Sequence, residues 1–198
     1  MYRFGMWSDV TNATMARQAG MGALRDAGLS FRDMQAAYVG HIFAPVMTGV
    51  RVMKEFGLTG LPVQHIENAS ATGSAAFREA CLAVAHGIHD VVMVLGFDKM
   101  TAMIEQSRLG AAPENMEDAI LPAAFFALWA TRRMHERGMK PEHLARIGAK
   151  NFNNGALNPM GQRQADKTIT VEKVLGSRMV AWPLTTMMSC PVGDGAAC

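Results

Sequence analysis

The residues best placed to do chemistry lie in one run, Glu67-Asn68-Ala69-Ser70-Ala71-Thr72-Gly73-Ser74. It joins an extended stretch, Pro62-Val63-Gln64-His65-Ile66-Glu67, to a long segment of small residues, Ser70 to His86. That segment has apolar positions at Ala76, Phe77, Ala80, Val84 and Ala85 and stops at Gly87, so it reads as a helix. A side chain at a sharp strand-to-helix turn points into the cleft above the strand ends. It also sits at the positive end of the helix, where unpaired backbone N–H groups stabilise developing negative charge. Ser70 occupies that position, which suits a nucleophile. Serine is also one of the commonest helix N-caps, and spacing by itself favours the cap. A Gly-x-Ser-x-Gly hydrolase elbow is excluded, because positions 68 and 72 hold Asn68 and Thr72.

Other reactive residue types have plainer readings. His86 and His89 flank Gly87 near Cys81, but histidine is favoured at a helix C-terminus by the dipole, and no metal site is expected. His41 falls at a strand end as a core or edge residue. Cys81 lies inside the small-residue helix and reads as packing. Arg132 and Arg133 could meet phosphates, yet a solvated helix face explains them equally well.

The elements that must position Ser70 follow an α/β order. Polar Ser8-Asp9 precede a helical face of Ala13, Ala16, Ala19, Ala23, Leu24 and Ala27, stopped by Gly28. An extended run from Ala36 to Phe43 ends at Pro45, and a short helix from Gly49 to Phe56 closes at Gly57. Asp90-Val91-Val92-Met93-Val94-Leu95-Gly96 is a near-continuous apolar run, the pattern of a parallel strand covered on both faces. Strand, helix and strand in this order make a right-handed crossover. Residues 1–98 therefore read as an α/β domain.

After Lys99 the pattern changes to helices at about Ala119 to Arg137 and Pro141 to Asn151, joined by Gly138-Met139-Lys140. An irregular amide- and glycine-rich stretch, Asn151 to Gln164, precedes a short helix from Val171 to Leu175. Residues 99–180 thus read as a helical insertion, and residues 181–198 as a return to the α/β domain through a turn and the start of its last strand.

Composition sets the outer limits. With 49% hydrophobic and 18% charged residues in 198, a sizeable core is available and disorder is excluded as the default. Lys+Arg at 19 against Asp+Glu at 17 leaves no electrostatic case for nucleic acid. Three cysteines are too few, and odd in number, for a disulfide scaffold. The start, Met1 to Asp9, lacks the apolar stretch of a signal peptide, and the run Ile120 to Ala130 is far shorter than the about 20 residues that span a bilayer. A soluble, cytoplasmic globular protein with no membrane span is expected.

Glu67-Asn68-Ala69-Ser70-Ala71-Thr72-Gly73-Ser74-Ala75-Ala76-Phe77 resembles the nucleophile segment of the thiolase superfamily. It is most similar to the branch of sterol-carrier-protein-x and lipid-transfer-protein thiolases. The resemblance continues in Val91 to Met100, Lys150 to Pro159, Ser177 to Thr185 and Cys190 to Ala197, in the expected order. It implies a thiolase-like α/β fold: a mixed five-stranded sheet layered between helices, with an inserted helical loop domain that helps to bind coenzyme A. It implies an acyl-CoA C-acyltransferase, joining or cleaving 3-ketoacyl chains by Claisen chemistry in fatty-acid or sterol side-chain metabolism. Coenzyme A or acyl-CoA would be substrate, with no permanently bound cofactor. Homo-oligomers, and in bacteria a small zinc-containing OB-fold partner protein, are also implied.

Two departures matter. Ser70 stands where the family carries its nucleophilic cysteine, and a hydroxyl needs an adjacent base that a tuned thiol does not. His65 and Glu67 share the strand face of Ala69, so neither is assured of reaching Ser70. The family's C-terminal catalytic histidine and second cysteine lie beyond Cys198, and its first strand would precede Phe4-Gly5 in mid-sheet, so the chain reads as incomplete at both ends. The serine suits two alternatives: a retro-aldol lyase on β-hydroxyacyl-CoA, which needs no covalent acyl-enzyme, or a non-catalytic acyl-CoA-binding subunit.

Overall fold

The computed structural model describes residues 1–102, 122–165 and 167–198. In chain order its elements are β1 (Tyr2–Gly5), α1 (Asn12–Ala27), β2 (Ala36–Gly40), α2 (Thr48–Met53), β3 (Val63–Ile66), α3 (Thr72–Ala85) and β4 (Val92–Lys99), then α4 (Pro122–Arg137), α5 (Pro141–Gly155), α6 (Val171–Leu175), β5 (Met179–Ala181), β6 (Leu184–Thr185) and β7 (Asp194–Ala197). The described residues fall into two compact units, 1–102 with 192–198, and 122–191 without 166.

The first unit is the expected mixed five-stranded sheet, ordered β1-β7-β4-β2-β3. Strands β2, β3 and β4 run parallel, and β7 pairs antiparallel with both β4 and β1. Alternation along the strands builds two apolar layers. Ala37 and Val39 of β2, with Met93, Leu95 and Phe97 of β4, face Met15, Ala16 and Ala19 of α1 and Val52 and Met53 of α2. Ala36 and Tyr38 face Ala76, Ala80 and Ala83 of α3 on the other side. Thr11 caps α1 by accepting the Thr14 N–H at 3.1 Å, and Gly28 closes it at φ +68°, where a Cβ would be strained.

Strand β1, Tyr2–Gly5, lies at the sheet edge beside β7, and β7, β4 and β2 pair directly. Asp194 ties that side together. Fully buried at the start of β7, its carboxylate accepts the Trp7 N–H just after β1 and the N–H and hydroxyl of Thr101 just after β4, at 2.9, 2.9 and 2.7 Å.

The second unit is helical with one short hairpin, β5–β6. Ala145 and Ala149 of α5 pack on Ile169 and Val174 with Phe152, Met187 and Met188 around them. Helix α5 runs on to Gly155, four residues past the expected Asn151. Asn153 explains this, since its side-chain amide exchanges two hydrogen bonds with the Ile169 backbone, at 2.8 and 3.0 Å. The hairpin was not legible, being too short to show alternation. Residues 119–121, where the preceding helix was expected to begin, lie outside the described residues.

Candidate active site

The turn that presents Ser70 grows out of the carboxyl ends of the parallel strands. Gly40, the last residue of β2, pairs with Ile66 of β3 on one side and Gly96 of β4 on the other. Beyond Ile66 the chain reverses through Ala69, whose φ of +44° is strained for a residue with a Cβ, by about 1–2 kcal/mol. Local bonds offset that cost. The Ala69 N–H donates to Glu67 Oε1 at 2.6 Å, and the Ala71 N–H to the Asn68 carbonyl at 2.9 Å. The Thr72 hydroxyl accepts the Asn68 N–H at 2.8 Å and donates to the Ala69 carbonyl at 2.7 Å. At about 0.5–1.5 kcal/mol net each, the two hydroxyl bonds are of the same size as the strain. Thr72 is buried, its methyl lying over Gly40, where a Cβ would come within 2.6 Å of it.

Ser70 is not the cap of α3. The helix starts at Thr72, and its capping residue, Ala71, makes no side-chain bond. Among the described residues no first-turn N–H of α3 is bonded by the Ser70 hydroxyl, and the Thr72 hydroxyl is turned back onto the loop. The Ser70 side chain is left exposed and makes no hydrogen bond among the described residues. Glu67 is engaged by Ala69, and His65 Nε2 lies 3.1 Å from the His41 carbonyl. Among the described residues no base is bonded to the Ser70 hydroxyl.

A polar cluster lies beside this turn. His41, which follows β2, is 4% exposed and stacks on His65 at 4.1 Å and on Phe97 at 5.2 Å, and its Nδ1 has no partner among the described residues. Asp98 of β4 accepts the backbone N–H groups of Ile42 and Phe43 at 3.0 and 2.9 Å, pinning the segment after β2 to β4. Burial pushes the Asp98 carboxyl up, against the opposing pull of those two N–H groups and of His65. Burial, reinforced by His65, pushes His41 below its ordinary value of 6.5. The sign follows from linkage: the unfolded chain takes up the His41 proton first as pH falls below 6.5, so stability drops from there until the folded imidazole also protonates. Asp98, raised, acts with the opposite sign in the carboxylate range. Urea denaturation at pH 7.5, 6.5 and 5.5 is expected to show this loss in the native protein and a flatter profile in His41→Phe.

The remaining sequence candidates are not part of this site. His86 caps the end of α3, and no group of three or more His, Cys, Asp or Glu among the described residues could hold a metal. Cys81, read as packing, is exposed instead, because α3 buries only its Ala76, Ala80 and Ala83 stripe. Phe77 of α3 and Ile88 just beyond its end are 62% and 67% exposed. Arg132 is paired with Glu136 one turn on, at 2.7 Å. Thr72, Gly40 and Asp98 were missed as site residues. The small-residue pattern of the turn includes Thr72, but only its through-space partners give it a role.

Comparison with known proteins places this geometry. The family described as thiolase, N-terminal domain, matches residues 2–198. An acetyl-CoA acetyltransferase of Methanothermobacter thermautotrophicus is 34% identical, with 98% of this chain and 53% of that protein covered. Sterol carrier protein 2 of Gallus gallus is 32% identical, covering 92% of this chain and 36% of that protein. The solved Ltp2-ChsH2(DUF35) aldolase superposes with a TM-score of 0.78 at 25% identity, over 98% of this chain and 51% of that one. The chain thus spans about half the length of the acetyltransferase and the aldolase, and about a third of the carrier protein.

Proposed function

On the premise that this chain belongs to the thiolase family, whose N-terminal domain it matches throughout, we propose that it acts on acyl-CoA by carbon–carbon bond cleavage of the retro-aldol type. The substrate class is a β-hydroxyacyl-CoA. One observation carries this: the residue at the nucleophile position is a serine to which no base among the described residues is bonded. Acyl transfer through Ser70 would need its proton removed as the oxygen attacks. Retro-aldol cleavage does not. There a base takes the β-hydroxyl proton, the Cα–Cβ bond breaks to release an aldehyde or ketone, and its electron pair becomes the enolate of the shortened thioester, which is then protonated. Ser70, exposed at the start of α3, is placed to donate a hydrogen bond to the thioester oxygen as charge develops on it. The base comes from outside the turn, and the reaction needs no permanently bound cofactor. The likeness to a solved aldolase over nearly the whole chain supports this.

A second reading, Claisen-type acyl transfer through Ser70, is favoured by the 34% identity to an acetyl-CoA acetyltransferase. Self-association belongs to the same proposal. The outer edge of β3 has no partner among the described residues, and α3 beside it exposes Phe77, Leu82 and Val84, with Ile88 just beyond its end. A second protein, of the small zinc-containing OB-fold kind, is supported by the neighbour being named for Ltp2 together with ChsH2(DUF35). Cytoplasmic action completes the reading.

The test is to incubate the full-length gene product with a β-hydroxyacyl-CoA and assay for a released aldehyde or ketone. In parallel, intact-protein mass spectrometry looks for an acyl adduct after exposure to a simple acyl-CoA. Carbonyl release without an adduct supports cleavage, and an adduct on Ser70 supports transfer. Neither, with coenzyme A still bound, identifies a binding subunit.

A further inference from the structure

We propose that Thr72 is the positioning residue of the turn: its buried hydroxyl, rather than α3 alone, sets where the side chain at position 70 is aimed. The hydroxyl bonds both flanks of Ala69, accepting the Asn68 N–H at 2.8 Å and donating to the Ala69 carbonyl at 2.7 Å. Ala69 is the residue with the left-handed backbone, and it immediately precedes Ser70. The Thr72 side chain is 6% exposed, and its methyl lies so close over Gly40 that a Cβ there would be 2.6 Å away. Gly40 belongs to a central strand, paired on both sides. One side chain therefore transmits the position of the sheet to the turn. Without the hydroxyl, the Asn68 N–H loses its partner and the Ala69 carbonyl keeps only the Thr72 backbone N–H, at 3.0 Å, to hold φ +44°. Ala69 then relaxes to a negative φ, which rotates the peptide leading into position 70 and re-aims its side chain away from the start of α3.

This role holds whichever thioester chemistry the site performs, so its test needs no enzymatic activity. Ser70→Cys places a reporter thiol at the position. Its alkylation by iodoacetamide is followed against pH, with peptide mass spectrometry separating it from Cys81, Cys190 and Cys198. Near the helix N-terminus the thiol is expected to react with a midpoint below the ordinary value of about 8.5. Adding Thr72→Val is expected to return the midpoint toward that value and slow alkylation at pH 7 by about tenfold. Thr72→Ser keeps the hydroxyl and is expected to keep the Ser70→Cys profile. Adding Ala69→Gly to the valine variant is expected to recover most of that profile, because glycine holds φ +44° without strain. Circular dichroism and the labelling rate of Cys81 check that each variant is folded, and Thr72→Ala replaces Thr72→Val if the latter unfolds. An unchanged profile on loss of the hydroxyl overturns the proposal, as does a Thr72→Ser variant that behaves like Thr72→Val.

Discussion

Replacing Ser70 by cysteine is expected to produce a covalent acyl thioester with a simple acyl-CoA at a rate at least about 100-fold above the native serine, the low end of what a positioned base contributes. The native hydroxyl has no base bonded to it among the described residues and no tendency to ionise near neutral pH. A thiol is already a few per cent ionised there, and the start of α3 favours the anion further. Intact-protein mass spectrometry after exposure to acetyl-CoA reads the difference directly. If native Ser70 is acylated as readily as the cysteine variant, the retro-aldol assignment is wrong and acyl transfer takes its place. If neither is acylated, position 70 does not meet a thioester.

The second large effect concerns the frame. Asp194→Asn is expected to destabilise the first unit by roughly 3–5 kcal/mol, a large part of the about 5–15 kcal/mol that a domain of this kind has. The native carboxylate accepts three hydrogen bonds in a fully buried site, from Trp7 N–H, Thr101 N–H and the Thr101 hydroxyl. An asparagine supplies one acceptor oxygen and one NH2 group. Whichever way its amide is turned, the NH2 faces a backbone N–H, leaving two donors in contact and one buried donor unpaired. The loss falls on the join between β1, β7 and β4. Urea denaturation would show a reduced midpoint with an unchanged slope, and an Asp194→Asn midpoint equal to the native one would remove this account of the strand join.

From the first helix onward, the order of strands and helices in the first ninety residues could be read from the chain because periodicity and glycine stops are local signals. The same holds for Ser70 at the strand-to-helix join and for the helical character of the second unit. Family resemblance added the expectation of the five-stranded sheet, since motifs in fixed order survive where overall identity is low. Local signals failed where a residue could be explained in two ways by its neighbours. Ser70 looked like a cap, and only the start of α3 at Thr72, with Ala71 as the capping residue, showed that it is not. Cys81 looked buried because its segment is apolar, but a helix lying against one side of a sheet covers one stripe only.

By itself, then, the sequence determined most of the elements, the strand-to-helix turn that carries Ser70 and the family to which the pattern points. Tertiary structure alone decided that β1 occupies the edge, that Asp194 binds three strand ends together, and that His41, His65 and Asp98 converge beside the turn. These facts rest on pairs of groups far apart along the chain. Hydrogen bonding and burial act through space, and nothing in the local pattern around either member of such a pair records where the other will be.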